Sequence, residues 1–140
     1  MNKIHYALIG CGRIATNHIK AVTNHKLHFT AACDLVPENI ENLLEKHDLK
    51  ENKEILRYTD YKKMIEEHPE INLAAIATSS GNHAEIALYC IDHGIHVIIE
   101  KPMAMSLADA DAIIKKSEGI EGVEGLEDAQ CCAAAHVGAI

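Results

Sequence analysis

Two short segments about ninety residues apart carry the side chains best suited to chemistry. Gly10-Cys11-Gly12-Arg13-Ile14-Ala15 follows one apolar run, and Glu100-Lys101-Pro102 follows another. Gly10 permits a tight turn, Gly12 lets the backbone approach a pyrophosphate, and Ala15 is small enough for a helix to pack closely on a strand. Backbone amides at the start of such a helix bind phosphates. The first segment therefore predicts a dinucleotide site, and Lys101 places a cation where a reacting hydroxyl could meet that cofactor.

Asp34 supports the dinucleotide interpretation independently. It lies twenty-two positions after Gly12 and ends the second predicted strand. Its carboxylate is suited to accept hydrogen bonds from a ribose 2′-hydroxyl and would repel a 2′-phosphate, which favours NAD over NADP. The alternative is an ordinary surface aspartate or helix cap. Arg13 keeps NADP open as the second cofactor, because a guanidinium beside the adenosine would tolerate a phosphate or simply lie along the adenine.

The elements that must position these residues alternate between short β-rich runs and amphipathic helical stretches. That alternation predicts an α/β fold with a parallel sheet and crossover helices. We expect strands at 4–9, 27–33, near 57–58, 71–77 and 95–99. We expect five helices between and after these strands. The first begins beyond the glycines and the second at Pro37. The third is capped by Thr59 or Asp60, the fourth begins after His83, and the fifth begins at a capping box of Ser106 with Asp109.

Polar segments follow the fourth and fifth predicted strands directly. Thr78-Ser79 and His83 come after the fourth strand, and Glu100-Lys101 comes after the fifth. In open α/β sheets, ligands bind outside the carboxyl ends of the strands. We therefore expect these side chains, the glycine segment and Asp34 to face one crevice.

Three motifs in this order resemble the N-terminal domain of the Gfo/Idh/MocA family, the glucose-fructose oxidoreductase and inositol dehydrogenase group. The resemblance covers about Lys3 to Lys116 and is carried by the glycine segment with His18, by Ala77-Thr78 leading to His83-Ala84-Glu85-Ile86-Ala87, and by Gly94-Ile95-His96-Val97 followed by Glu100-Lys101-Pro102. It implies a Rossmann-type doubly wound parallel sheet and a bound NAD(H) or NADP(H). It also implies oxidation or reduction at the CH–OH carbon of a sugar, inositol or nucleotide-linked sugar.

The resemblance assigns Thr78 to the ribose and diphosphate, and Glu100 and Lys101 to the nicotinamide side. Lys101 is the predicted catalytic residue, because a cation beside the substrate hydroxyl stabilises the developing alkoxide and a desolvated lysine can take part in proton transfer. Where the family usually has Pro-Asn after the threonine, this chain has Ser79-Ser80, so the loop shape there departs from the family. The predicted cofactor-contacting residues are Gly10, Cys11, Gly12, Arg13, Ile14, Ala15, Asp34, Thr78, Ser79, His83, Glu100 and Lys101.

Composition excludes several other classes of protein. A net charge of −8 provides no basic field for nucleic acid, and no apolar run has the length of a signal peptide or membrane span. The five cysteines are odd in number and lack zinc spacing, which favours free thiols in the cytoplasm. The ten histidines form no recognised metal pattern, so we expect no metal site, and we expect His18 and His83 to orient loops. At a helix start, Cys11 would have a lowered thiol pKa, and its oxidation would block the cofactor.

The family resemblance stops before the end of the chain. We expect a dinucleotide-binding domain at 1–117 and an atypical tail at 118–140, which contains three Glu-Gly-apolar units and an Ala- and Cys-rich end. The substrate domain of the family is missing, which suggests a truncated or frameshifted product. Two hypotheses follow: the cofactor-binding half of a sugar or polyol oxidoreductase, inactive alone, or a stand-alone nucleotide-binding module. Apolar surface left without that domain would favour self-association.

Overall fold

Strands and helices alternate through residues 3–100 and 105–117, which are the residues that the computed structural model describes. In chain order they are β1 (His5–Ile9), α1 (Ala15–Asn24), β2 (His28–Cys33), α2 (Pro37–Lys46), β3 (Leu56–Tyr58), α3 (Tyr61–Glu67), β4 (Leu73–Ile76), a 3-10 turn (Ser80–Asn82), α4 (His83–Asp92), β5 (His96–Ile99) and α5 (Leu107–Ser117). Lys101, Pro102 and the tail at 118–140 lie outside the described residues.

The five strands of this part of the chain form one parallel sheet in the order β3-β2-β1-β4-β5. The chain runs outward from β1 to β3, then returns to the other side of β1 to form β4 and β5. This reversal creates a crevice at the carboxyl ends of β1 and β4, where open α/β sheets bind ligands. The predicted α/β, Rossmann-type doubly wound sheet is confirmed.

The core lies on both faces of the sheet. Tyr6 and Leu8 of β1 face α1 and α2, whereas Ala7 and Ile9 face α3, α4 and α5. All four residues of β4 are apolar and buried, as expected for a central strand of a parallel sheet. The helices thus bury apolar stripes against the sheet and hold the strand ends in place.

The predicted helix starts agree with the structure and one ambiguity is settled. Pro37 is the first residue of α2. The side chain of Asp60, rather than Thr59, caps α3 by accepting a hydrogen bond of 2.9 Å from the Lys62 amide. Ser106 Oγ accepts one of 3.1 Å from the Asp109 amide at the start of α5. These side chains satisfy amides that the helices leave unpaired.

Strands β1, β2, β4 and β5 begin one or two residues later than predicted, and local hydrogen bonding explains the difference at β2. Lys26 adopts a left-handed φ of 54° and Leu27 N donates to Val22 O at 3.0 Å, so residue 27 still belongs to the turn that ends α1. Before β4, the side chain of Asn72 accepts from His5 N and donates to Lys3 O at 2.8 Å each. None of the helices in the described ranges combines the length and hydropathy needed to cross a membrane.

Candidate functional site

The two glycines of the loop between β1 and α1 have different surroundings. Gly10 has a φ of 98°, and a Cβ built on it would lie 2.6 Å from the backbone of both Ala77 and Thr78. Its amide donates to Cys33 O at 2.8 Å. Gly12 has open space, with no atom within 4 Å of the position that a Cβ would take. Gly10 therefore lets β1 and β4 end close together, whereas Gly12 leaves room for a ligand.

Asp34 connects this loop to the turn that follows β2. Its Oδ2 accepts a hydrogen bond of 2.8 Å from Cys11 N. Its Oδ1 accepts one of 2.8 Å from Val36 N and a longer one of 3.3 Å from Asn39 Nδ2. Two carboxylate oxygens have about four acceptor positions, so capacity remains for a ligand hydroxyl. Three donors thus hold the carboxylate in one orientation at the rim of the crevice.

A cavity of about 390 Å³ occupies this crevice above the ends of β1, β2 and β4. Six of the predicted site residues line it: Gly10, Cys11, Gly12, Asp34, Thr78 and Ser79. Sequence reasoning missed others that line it, among them Leu35, Thr59, Tyr61, Asn82, Glu85 and Ile86. Thr59 and Tyr61 follow β3, so the rule that ligands bind at the carboxyl ends of strands, applied to that strand too, would have found them.

The remaining predicted residues that the structure describes are not among those that line the cavity. Arg13 and Ile14 are exposed at the start of α1, with 51% of Ile14 accessible, and Ala15 is fully buried beneath them. Lys101, the predicted catalytic residue, lies outside the described residues.

His83 holds the loop that follows β4. It is 1% exposed, and its Nε2 donates a hydrogen bond of 2.9 Å to the carbonyl oxygen of Thr78. In the same loop, Asn82 N donates to Ser79 O at 3.1 Å. These contacts fix the loop that contains Ser79-Ser80. His83 therefore positions Thr78 and Ser79 at the cavity wall.

A second histidine joins two parts of the site that are 82 positions apart in sequence. His18 Nε2 lies 2.7 Å from Glu100 Oε1. His18 is buried on α1, one turn beyond the glycine loop, and Glu100 directly follows β5. The contact therefore connects the helix that follows the glycine loop to the residue immediately before Lys101.

The expectation that Cys11 has a lowered thiol pKa is wrong. Burial, followed by the charge of Asp34 and the neighbouring Cys33, raises the pKa of the Cys11 thiol to about 12. The pKa values of the Cys33 and Cys90 thiols are also raised to about 12, chiefly by burial. Depth in the fold outweighs the favourable end of the helix dipole, so Cys11 is a poor nucleophile. All three are free thiols.

Comparison with known families gives one strong match. The model of the GFO_IDH_MocA family, described as "Oxidoreductase family, NAD-binding Rossmann fold", matches residues 4–120. This range includes the glycine loop, Asp34 and the segment after β5.

Relatives of known name carry the same domain. Glycosyl hydrolase family 109 protein 1 of Bacteroides fragilis is 33% identical over 122 residues, which cover 84% of this chain and 26% of that protein. Inositol 2-dehydrogenase of Salmonella typhimurium is 26% identical over 113 residues, which cover 79% of this chain and 32% of that protein. The chain thus spans about a quarter to a third of the length of these relatives.

A solved structure of a related protein has the same fold. The WlbA dehydrogenase of Chromobacterium violaceum, crystallised with NADH and UDP-GlcNAcA, is 28% identical and superposes with a TM-score of 0.73. The match covers 84% of this chain and 33% of the other. The crevice described above therefore belongs to a fold that holds NADH in a related protein.

Proposed function

Because this chain belongs to the Gfo/Idh/MocA oxidoreductase family and carries its NAD-binding Rossmann domain, we propose that the glycine loop, Asp34 and Thr78 hold NAD in the crevice. Gly12 leaves space for the pyrophosphate, and the amides of Gly12, Arg13 and Ile14, just before α1, would donate to it. Asp34 would accept a hydrogen bond from the ribose 2′-hydroxyl. Thr78 and Ser79, fixed by His83, form the wall between the two halves of the cofactor.

The observation that carries this proposal is the position of Asp34. Its carboxylate lines the cavity and is already bonded to the amide of Cys11 inside the glycine loop. A 2′-phosphate would meet this carboxylate, while no arginine or lysine lines the described cavity to compensate for the repulsion. These features favour NAD over NADP, despite the exposed Arg13 at the end of the loop.

For the nicotinamide half, we propose Glu100 and Lys101 as the functional residues. The bound dinucleotide supplies the hydride acceptor or donor. The Lys101 amine would take the proton of the substrate hydroxyl, and the resulting ammonium would stabilise the alkoxide oxygen. The contact of 2.7 Å between His18 and Glu100 fixes the residue before Lys101 relative to α1. In this proposal, Lys101 acts on the substrate and His18 acts only through Glu100.

The whole protein to which this domain belongs is proposed to act on a CH–OH group of a sugar, inositol or nucleotide-linked sugar in the cytoplasm. The names of the inositol dehydrogenase relative and of the UDP-GlcNAcA complex support that substrate class. A second candidate, glycoside hydrolysis, is favoured by the 33% identity to a protein named as a glycosyl hydrolase. Net reduction of NAD by a polyol panel supports the first candidate, and release of nitrophenol from nitrophenyl glycosides without net NADH formation supports the second.

Titration of the chain with NADH and with NADPH tests the cofactor assignment. We expect NADH to bind more tightly than NADPH, and Asp34→Ala to weaken NADH binding by roughly tenfold and to reduce the preference, because a hydrogen bond to a charged group contributes about 1.5–3 kcal/mol. Asp111→Ala, an exposed change on α5, is the matched control and leaves both affinities unchanged. If neither nucleotide binds, the proposed function is wrong.

Asp34→Asn separates ribose recognition from loop structure. The asparagine oxygen can still accept from Cys11 N, so the glycine loop keeps this contact while the negative charge is lost. We expect NADPH binding to improve relative to NADH. An unchanged preference in both Asp34 variants would remove Asp34 from ribose recognition. We also expect negligible sugar turnover by this chain alone; measurable turnover would contradict the idea that a further substrate domain is needed.

A further inference from the structure

The wall of the crevice carries an exposed carboxylate without a described partner. Glu85 lies in the first turn of α4, lines the cavity and takes part in no hydrogen bond or ion pair among residues 3–100 and 105–117. Burial is the main cause that raises the pKa of the neighbouring Tyr61 hydroxyl to about 12, and the negative charge of Glu85 is the second. Glu85 is therefore an acceptor that is available to a ligand.

The surfaces next to Glu85 suit a flat ring. The Tyr61 side chain and Ile86 line the same cavity, and Leu35, directly after Asp34, is 83% exposed at its rim. The Tyr61 ring is held at a right angle to Tyr89, with ring centroids 5.5 Å apart, so its orientation is fixed. Aromatic and aliphatic walls stack on nucleobases without distinguishing them, because every base has an apolar face. Discrimination between bases must therefore come from a polar group at the edge.

We propose that Glu85 is a specificity-determining residue for the base: its carboxylate accepts a hydrogen bond from the 6-amino group of adenine. This inference rests on the proposed function, since it places the ribose of a dinucleotide at Asp34 and the base in the remainder of the cavity. A carboxylate accepts but does not donate. A base with a 6-oxo group in place of the amino group presents an acceptor to an acceptor, and it binds less tightly.

Reduced nicotinamide hypoxanthine dinucleotide tests this, because it has a 6-oxo group in place of the 6-amino group of NADH and a hydrogen on the adjacent N1, so position 6 can no longer donate to Glu85. For the wild-type chain we expect NADH to bind about three- to tenfold more tightly. This is less than a buried charged hydrogen bond would give, because Glu85 is exposed. In Glu85→Gln, the amide both donates and accepts, so the preference falls to less than about twofold.

A control variant isolates the base contact. Glu38→Gln changes the corresponding first-turn acid of α2, which does not line the cavity, and keeps the wild-type preference. If Glu85 served only the helix dipole, Glu85→Gln would lower the melting temperature and leave the preference intact.

Failure of this inference differs from failure of the proposed function. Equal affinities of the two dinucleotides for the wild-type chain, or a preference that survives in Glu85→Gln, would overturn the role of Glu85 while NAD binding stands. Absence of binding by both dinucleotides would overturn the proposed function itself, and the inference with it.

Discussion

Alanine substitutions at the two loop glycines should have opposite consequences. In Gly10→Ala, the new Cβ lies 2.6 Å from the backbone of Ala77 and Thr78, on a residue with a φ of 98°. The left-handed conformation costs about 1–2 kcal/mol and overpacking about 1–3 kcal/mol. The atoms in contact are backbone atoms of the strand end, so they cannot move aside as a flexible side chain would. We expect the free energy of unfolding to fall by roughly 2–5 kcal/mol. This is a large fraction of the total of about 5–15 kcal/mol that is typical of a domain.

Gly12→Ala should affect the ligand instead of the fold. No atom lies within 4 Å of the added Cβ, and the φ of Gly12 is not in the left-handed region. We therefore expect stability to change by less than about 1 kcal/mol, with a small gain from the reduced entropy of the unfolded chain. The methyl group occupies the space through which the pyrophosphate approaches the backbone. NADH affinity should fall by roughly tenfold or more.

Thermal unfolding by circular dichroism and NADH fluorescence titration measure the two effects separately. Gly94→Ala is the matched control, because Gly94 also has a positive φ, 74°, but no atom within 4 Å of its Cβ position. Its cost is the conformational one alone, about 1–2 kcal/mol. If Gly10→Ala were no more destabilising than Gly94→Ala, the steric contact with β4 would be refuted. If Gly12→Ala bound NADH like the wild type, the pyrophosphate would not lie against Gly12.

The remaining predictions concern titratable groups that the fold buries wholly or in part. The free energy of unfolding should fall by about 1–2 kcal/mol in each of the single variants His18→Gln and Glu100→Gln. It should fall by less than the sum in the double variant, because both substitutions remove the same partly buried contact of 2.7 Å. Additive losses in urea unfolding would contradict this. The buried thiols of Cys11, Cys33 and Cys90 should react slowly with iodoacetamide at about pH 8, as mapped by mass spectrometry of their peptides, because their pKa values are about 12; rapid labelling of the native chain would disprove their burial. Burial, and secondly nearby positive charge, lowers the pKa values of His5 and His47 below 6.5, so the unfolded chain takes up these protons first as the pH falls. The free energy of unfolding that the neutral histidines contribute is complete above pH 6.5 and decreases as the pH falls toward their folded-state pKa values. The melting temperature should therefore decrease less between about pH 7.5 and 5.5 in a His5→Gln/His47→Gln variant than in the wild type. An identical decrease in both proteins would count against both histidines.

Local pattern was sufficient to predict the sheet and the wall of the crevice that Gly10, Gly12 and Asp34 form. Gly10, Gly12 and Asp34 each sit at a strand end that apolar runs define, and parallel strands place their carboxyl ends at one edge. Glycine spacing also indicated which turn must be tight. These features depend on neighbours in sequence, so they were accessible without the fold.

Contacts between distant segments were not accessible in this way. The contact between His18 and Glu100 requires both the rotation of α1 and the register of β5, which no local pattern encodes. The bond from Cys11 N to Asp34 likewise depends on how the β1 loop turns toward β2. The wrong expectation for the Cys11 thiol has the same origin, since position at a helix start is visible in sequence but depth beneath a carboxylate is not.

Two separate sets of contacts hold the two ends of the crevice in which the cofactor is proposed to bind. Asp34, which is proposed to bind the adenosine ribose, joins the glycine loop to the turn after β2. His18 and Glu100, on the proposed nicotinamide side, join α1 to the end of β5. Both arrangements are anchored at the same loop and helix, but they share no side chain. Substitutions at Asp34 should therefore change which nucleotide binds, whereas substitutions at His18 should leave that choice intact and displace the residue next to Lys101.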